Sequence, residues 1–343
     1  MSTKKWILAL VLGVVLLLLS VAGGRFYLNH WAAAPLALEA EMQLDVPRGQ
    51  SLIALANRLE RQGLISARLW VLYARVTDQT RIKAGEYAVA PGASAESLLR
   101  RLVAGDVIQY AAQLIEGWTY YDTLQYLHSL DYLEPRLAGL DWQAQRQLLG
   151  MHEPHPEGWF FPDTYSYQKG DSDISILRQA FAKQRTVLAE LWAERADGLP
   201  YDSPYDALIM ASIVEKETAI DAEREQIAGV FVRRLQRNMR MQTDPTVIYG
   251  LGKAYRGNLT RKHLQQVTPY NTYRINGLPP TPIALPGRRS IFAALHPDSS
   301  ENLYFVAKGD GYHQFSATLE EHNAAVRKYQ YRRRADYRST PDK

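Results

Sequence analysis

Two glutamates, Glu215 and Glu217, stand two residues apart at the end of an apolar run in ASIVEKETAIDAERE (211–225). Asp221, Glu223 and Glu225 add three more carboxylates just beyond. Acids this close can hold a metal, pair with cations at a helix end, or do general acid–base work. A helical wheel separates them. With Glu217 at zero, Met210 falls at about +20°, Ile213 at about −40° and Val214 at about +60°. Glu215 lies at about 160° from Glu217, on the side of Leu208, Ala211 and Ser212. Glu217 therefore shares a side with the larger hydrophobes. Desolvation disfavours a charged carboxylate and raises its pKa, which suits a general acid near neutral pH. On this reading Glu217 is the acid and Glu215 its solvated or hydrogen-bonded support, beside Lys216. Asp221, Glu223 and Glu225 fall in the first turns of a following helix, where acids complement the dipole. A salt bridge at the helix end is the alternative for either glutamate, and the wheel leaves it open.

Other chemistries find little footing. The chain has no cysteine, which removes thiol nucleophiles, thiolate zinc sites and disulfides. None of its eight histidines stands in an H-E-x-x-H arrangement. HEPH at 152–155 is interrupted by Pro154. There is no G-x-S-x-G elbow and no phosphate loop before a Lys-Ser/Thr pair. No metal or cofactor is expected. The net charge of +4 does not call for a nucleic-acid partner.

These residues need elements to hold them, and 343 residues allow two or three domains. Residues 6–24, WILALVLGVVLLLLSVAGG, are uncharged and mostly apolar. A spanning helix needs about 17–25 such residues, whereas a secretory apolar region runs to about 7–15. Lys4 and Lys5 precede the stretch, favouring a cytoplasmic N-terminus. The expectation is an uncleaved anchor, with a cleaved signal peptide as its rival. Three segments then share a pattern: VPRGQSLIALANRL (46–59), VAPGASAESLLRRL (89–102) and LIEGWTYYDTLQYL (114–127). Each has a strand-like lead, a glycine (Gly49, Gly92, Gly117) and, two residues on, a candidate N-cap (Ser51, Ser94, Thr119). The unit is strand, glycine turn, capped helix, and it resembles a LysM-like fold. PEGWFFPDTYSY (156–167) offers rings that could stack on sugars or anchor a loop to the core. A turn-rich boundary at 194–206 precedes the last domain. There LYFVA reads as a strand, GDG as a hairpin turn and TLEEHNAAVRKYQ as a final helix. The expected fold class is α+β: an N-terminal transmembrane helix, LysM-like βα modules, then a mixed α/β catalytic domain. The expected boundaries are a cytoplasmic N-terminus (1–5), the anchor (6–28), a linker (29–43), a LysM-like module (44–106), an intermediate α/β region (107–200), the catalytic domain (201–333) and a basic tail (334–343).

The anchor, the glycine-turn modules, ASIVEKET, QTDPTVIYG, YNTY and GLPPTPIALPG together resemble the YceG-like (MltG) family of endolytic murein transglycosylases, in order along nearly the whole chain. The resemblance implies a single-pass inner-membrane enzyme with a periplasmic catalytic domain. It implies lyase cleavage of MurNAc–GlcNAc bonds inside peptidoglycan strands, leaving 1,6-anhydro ends, and so termination of nascent strands. The second glutamate of EKE, Glu217, maps onto the family's catalytic acid. Gln242, Thr243, Asp244, Tyr249, Tyr270 and Asn271, with Glu215, are the substrate-binding candidates. His313 is a lesser one, and Asp244 before Pro245 could equally cap a turn. The implied partners are glycan strands and the inner membrane, with peptidoglycan synthases as further candidates. The alternative from another class is a membrane-anchored glycan-binding scaffold without catalysis.

Overall fold

The computed structural model describes residues 3–331, and the basic residues Arg332, Arg333, Arg334 and Arg338 of the tail lie outside them. The chain forms two units, one of residues up to 110 with 167–171, the other of 111–166 with residues from 172 onward.

The first unit starts with α1 (Thr3–Ala33) and continues through β1 (Met42–Val46), α2 (Leu52–Arg61), α3 (Ala67–Val76), β2 (Gly85–Val89) and α4 (Ala95–Ala104). β1 and β2 pair antiparallel, with Leu44 opposite Tyr87 and Val46 opposite Gly85. α2 buries Leu52, Leu55, Ala56 and Leu59, a helical stripe at i, i+3, i+4 and i+7. Its start is set by Ser51, whose hydroxyl accepts the Ala54 N–H at 3.2 Å. Ser94 and Thr119 cap the following helices in the same way. Gly49, Gly92 and Gly117 all take positive φ, so the glycine two residues before each cap is there for the turn. Trp70 anchors the core and donates through Nε1 to the Ala95 carbonyl at 2.8 Å.

Within Trp6–Ala33 of α1 an 18-residue window reaches a mean hydropathy of 2.8, and the helix is long and apolar enough to cross a membrane. Its side chains are exposed from residue 6 to 27. Leu28 and Ala32 then enter the core of the first unit. The segment read as a linker from residue 29 is thus helical to Ala33 and joined to the core.

The second unit comprises β3 (Tyr110–Gln113), α5 (Tyr120–His128), α6 (Trp142–Leu149), β4 (Thr164–Tyr167), α7 (Asp173–Ala193), α8 (Pro204–Glu217), α9 (Asp221–Gln236), α10 (Asp244–Leu251), α11 (Arg261–Gln265), α12 (Arg288–Leu295), β5 (Tyr304–Ala307), β6 (His313–Ser316) and α13 (Leu319–Val326). α8 is its axis: every residue from 207 to 214 is buried, and α7, α9, α10 and α12 pack around it. Pro204 suits the first turn, and Asp206 accepts the Ser203 N–H at 3.0 Å. Ser212 lets a buried hydroxyl into the core. It donates to the Ile209 carbonyl at 2.7 Å and accepts the Ile283 N–H at 2.9 Å, pinning the proline-rich segment. β5 and β6 form an antiparallel hairpin on which α13 packs.

Candidate active site

Helix α8 delivers both glutamates at its C-terminal end, and its buried run fixes where they point. Glu215 turns into the protein, with a side chain only 6% exposed. It accepts from Arg224 at 3.1 Å and from the Gly287 N–H at 2.9 Å. Arg224 is equally buried and also donates to Asp221 at 3.0 Å and to Ser290. This is a desolvated ion pair in which each partner makes further hydrogen bonds, the condition under which such a pair is tolerated.

Glu217 instead opens onto a cleft of about 470 Å³. The Thr243 hydroxyl donates to its carboxylate. Burial pushes the Glu217 carboxyl up to about 7; the Thr243 bond opposes that rise and the Asp244 charge adds to it. Thr243 is the buried N-cap of α10. Its N–H donates to Thr272 Oγ1 at 3.1 Å, and its carbonyl accepts from Thr246 Oγ1 at 2.9 Å. Gln242, before it, has φ of 55°, in the left-handed region that non-glycine residues seldom occupy. That turn brings Gln242, Thr243 and Asp244 together on the wall beside Glu217. Asp244 accepts from the Tyr273 hydroxyl at 2.7 Å.

The other sequence candidates lie elsewhere. Tyr249 donates to Glu157 at 3.0 Å, and Tyr270 shares a hydrogen bond with Thr281 at 2.8 Å. Asn271 is fully buried, and its amide donates to the carbonyls of His263, Leu264 and Gln266. It shapes the loop that carries Tyr273. His313 pairs with Glu223 through both its N–H and its ring, each at 2.8 Å. None of these four residues, nor Glu215, lines the cleft.

Among the residues that line it without being selected from the sequence are Arg234, Tyr273, Tyr304, Phe305, His322 and Asn323. Tyr273 is the second tyrosine of YNTY, so the motif points to the right loop and not to the side chain. Another unselected acid, Glu157, is 3% exposed in the aromatic loop. It accepts from the Tyr120 N–H at 2.9 Å and from Tyr249. Burial pushes its carboxyl up to about 7 against those bonds. Its one signal in the sequence is an acid set among rings in PEGWFF. In the same loop, Trp159 stacks on Tyr205, and Phe160 on Tyr120, which gives these rings an anchoring role. Among the described residues, no three His, Asp or Glu side chains gather as a metal site.

A cleft with one carboxyl poised near neutral pH, beside a hydroxyl donor and a second acid, is equipped to give and recover a proton. The profile of the YceG-like family matches residues 44–328, and the chain belongs to that family. It is 31% identical over 330 residues to the endolytic murein transglycosylase of Bacillus subtilis, covering 90% of this chain and 91% of that protein. It is 27% identical to the endolytic murein transglycosylase of Streptococcus pneumoniae over 91% of this chain, spanning 63% of that longer protein. A solved YceG-like protein of Listeria monocytogenes matches with a TM-score of 0.53 at 29% identity, over 84% of this chain and 99% of that one.

Proposed function

We propose that this chain is a membrane-anchored endolytic lytic transglycosylase. It cleaves MurNAc–GlcNAc bonds inside peptidoglycan strands and leaves 1,6-anhydro-MurNAc ends. The observation that carries this reading is Glu217, a cleft carboxyl with a pKa raised to about 7, in a chain related to enzymes of that name. Half-protonated at neutral pH, Glu217 can donate to the glycosidic oxygen as the bond to C1 breaks. Positive charge then develops at C1, and the sugar's own C6 hydroxyl attacks it. Glu217, now ionised and held by Thr243, takes the C6 proton and returns to its starting state. One carboxyl serves twice, where most glycosidases need two.

The apolar helix α1 supports a single-pass anchor, with the N-terminus cytoplasmic and the remaining chain periplasmic at the inner membrane. Cutting close to the membrane would terminate nascent strands, with peptidoglycan synthases as partners. The order β1–α2–α3–β2, with its antiparallel pair, supports a LysM-like module in the first unit. That module favours a second reading, a glycan-binding scaffold without catalysis. Incubating the full chain in detergent micelles with purified peptidoglycan, followed by mass spectrometry, separates the readings. Anhydro ends that vanish with Glu217→Gln support the lyase. Reducing ends would mean a hydrolase, and no release would leave the scaffold.

A further inference from the structure

The lining of the cleft carries a cation that proton transfer does not use. Arg234 lines the cleft with Glu217 and is 7% exposed. Its Nε donates to the Leu303 carbonyl at 2.7 Å, and its Nη1 donates to the carbonyls of Met241 at 2.7 Å and Arg240 at 3.2 Å. All three acceptors are neutral. Among the described residues no carboxylate pairs with Arg234, whereas its neighbour Arg233 has Asp298 and the buried Arg224 has two acids. Its guanidinium lies 5.1 Å from the centre of the Tyr304 ring, another neutral partner. A buried charge is costly unless it is paired. Nη2, the nitrogen with no partner among the described residues, is the donor left for something that enters the cleft. A second group is also unspent: His322 lines the same cleft, and its Nδ1 is buried without a hydrogen-bond partner among the described residues. Burial and the Arg234 charge push the His322 pKa down, so the ring is a neutral imidazole with one N–H to give.

We propose that Arg234, with His322 beside it, is an anion-binding site that takes a carboxylate borne by the substrate. The inference rests on the reading of the cleft as glycan-cleaving and deepens it. In a strand of alternating N-acetylglucosamine and N-acetylmuramic acid, hydroxyl and acetamido groups are neutral. Acidity belongs to the muramoyl residues alone, through the lactyl ether at C3. Unsubstituted, that group is a carboxylate; joined to a peptide, it is a neutral amide and the acidity moves to the peptide's carboxylates. Either source presents the planar oxygen pair that a guanidinium recognises. Arg234 is held by three fixed carbonyls, so little side-chain freedom remains to be lost on binding. The Tyr273 hydroxyl, with a pKa raised chiefly by burial, is within electrostatic reach of both Glu217 and Arg234. The anion site and the catalytic acid thus line one cleft together with Tyr273, and binding the carboxylate would set which sugar lies over Glu217.

Four glycan preparations test this with the full chain in detergent: strands bearing peptides, the same strands with their carboxylates converted to methylamides, strands stripped of peptide, and stripped strands converted likewise. The expected result is a KM at least ten-fold higher after conversion in one of the two pairs, with kcat changed less. The pair that responds names the source, peptide or lactyl. Arg234→Gln should erase the difference and Arg234→Lys should restore part of it, a pattern that a purely structural role for the three carbonyl bonds would not produce. Equal KM within both wild-type pairs overturns the proposal, as does an Arg234→Gln protein that still discriminates. If the wild-type chain cleaves nothing, the lyase reading fails separately. Co-sedimentation of the wild-type chain with the same four preparations then decides the anion site, with equal binding within both pairs counting against it.

Discussion

The Thr243 hydroxyl donates to the Glu217 carboxylate, joining the N-cap of α10 to the last residue of α8. The bond favours the ionised acid, and burial favours the neutral one. Their balance leaves Glu217 at about 7, where both protonation states are populated at neutral pH. A group that must first give a proton and then accept one is best placed there.

Removing the hydroxyl tips this balance. Thr243→Val should raise the Glu217 pKa further, because the charged form loses its donor. The acid form then persists to higher pH, and the alkaline limb of the kcat/KM profile should move up by up to about one pH unit. Thr243→Ser should leave the limb in place. A downward movement in Thr243→Val would contradict the role given to this hydroxyl.

Asp244→Asn should act in the opposite direction. The Asp244 charge helps to raise Glu217, so its removal lets the acid ionise more readily. The alkaline limb should move down, by less than about one pH unit, since Asp244 is exposed and its field is screened. Profiles of the two variants measured in one buffer series give the comparison directly.

Glu215 and Glu217 should part company on mutation. Glu215→Ala leaves Arg224 in the core with only the exposed Asp221 as ionic partner and frees the Gly287 N–H, a loss of about 3–5 kcal/mol by analogy with broken buried pairs. Glu217→Gln leaves no charge unpaired, and it should melt at or above the wild-type temperature while losing at least about 10²-fold in rate. Thermal melts beside turnover measurements check both. A stable but inactive Glu215→Ala would move Glu215 from support into the chemistry.

The helical period places Glu215 and Glu217 on different sides of α8, and that much is legible, although it is Glu215 that turns into the protein and Glu217 that opens onto the cleft. The caps Ser51, Ser94 and Thr119 were equally legible, since a glycine turn and a hydroxyl act through their immediate neighbours. The rest of the cleft was not. Arg234 and His322 reach it from α9 and α13, brought there by packing that no local pattern encodes. In YNTY, four adjacent residues offer similar chemistry. Only the three carbonyl bonds of Asn271 show that it builds the loop while Tyr273 faces the cleft. Glu157 was hidden for a related reason: its hydrogen-bond partners, Tyr120 and Tyr249, lie far along the chain.

Glu157 makes a pH-dependent demand on stability. Its folded pKa is about 7 against an ordinary value of 4.5, so the folded state holds the proton more tightly than the unfolded chain. Stability from this group is therefore complete below 4.5 and is lost as pH rises through about 7. Glu157→Gln removes the titration. Its melting temperature relative to wild type should rise between pH 4.5 and pH 8, whatever offset the lost acceptor introduces. A flat difference across that range would place the Glu157 pKa near its ordinary value.

Helix α1 poses a sharper question, because its two ends differ in burial. Its side chains are exposed as far as residue 27, yet Leu28 and Ala32 belong to the core of the first unit. Deleting residues 1–24 should abolish partition into detergent and leave the melting temperature within about 2 °C of the full chain. Deleting residues 1–33 also takes Leu28 and Ala32 from the core. Removing a buried leucine side chain costs about 2–5 kcal/mol in other cores, and the melting temperature should fall by at least about 4 °C. Detergent phase separation and scanning calorimetry on the two truncations measure both effects. If the two proteins melt alike, the end of α1 is a tether, and the first unit holds together without it.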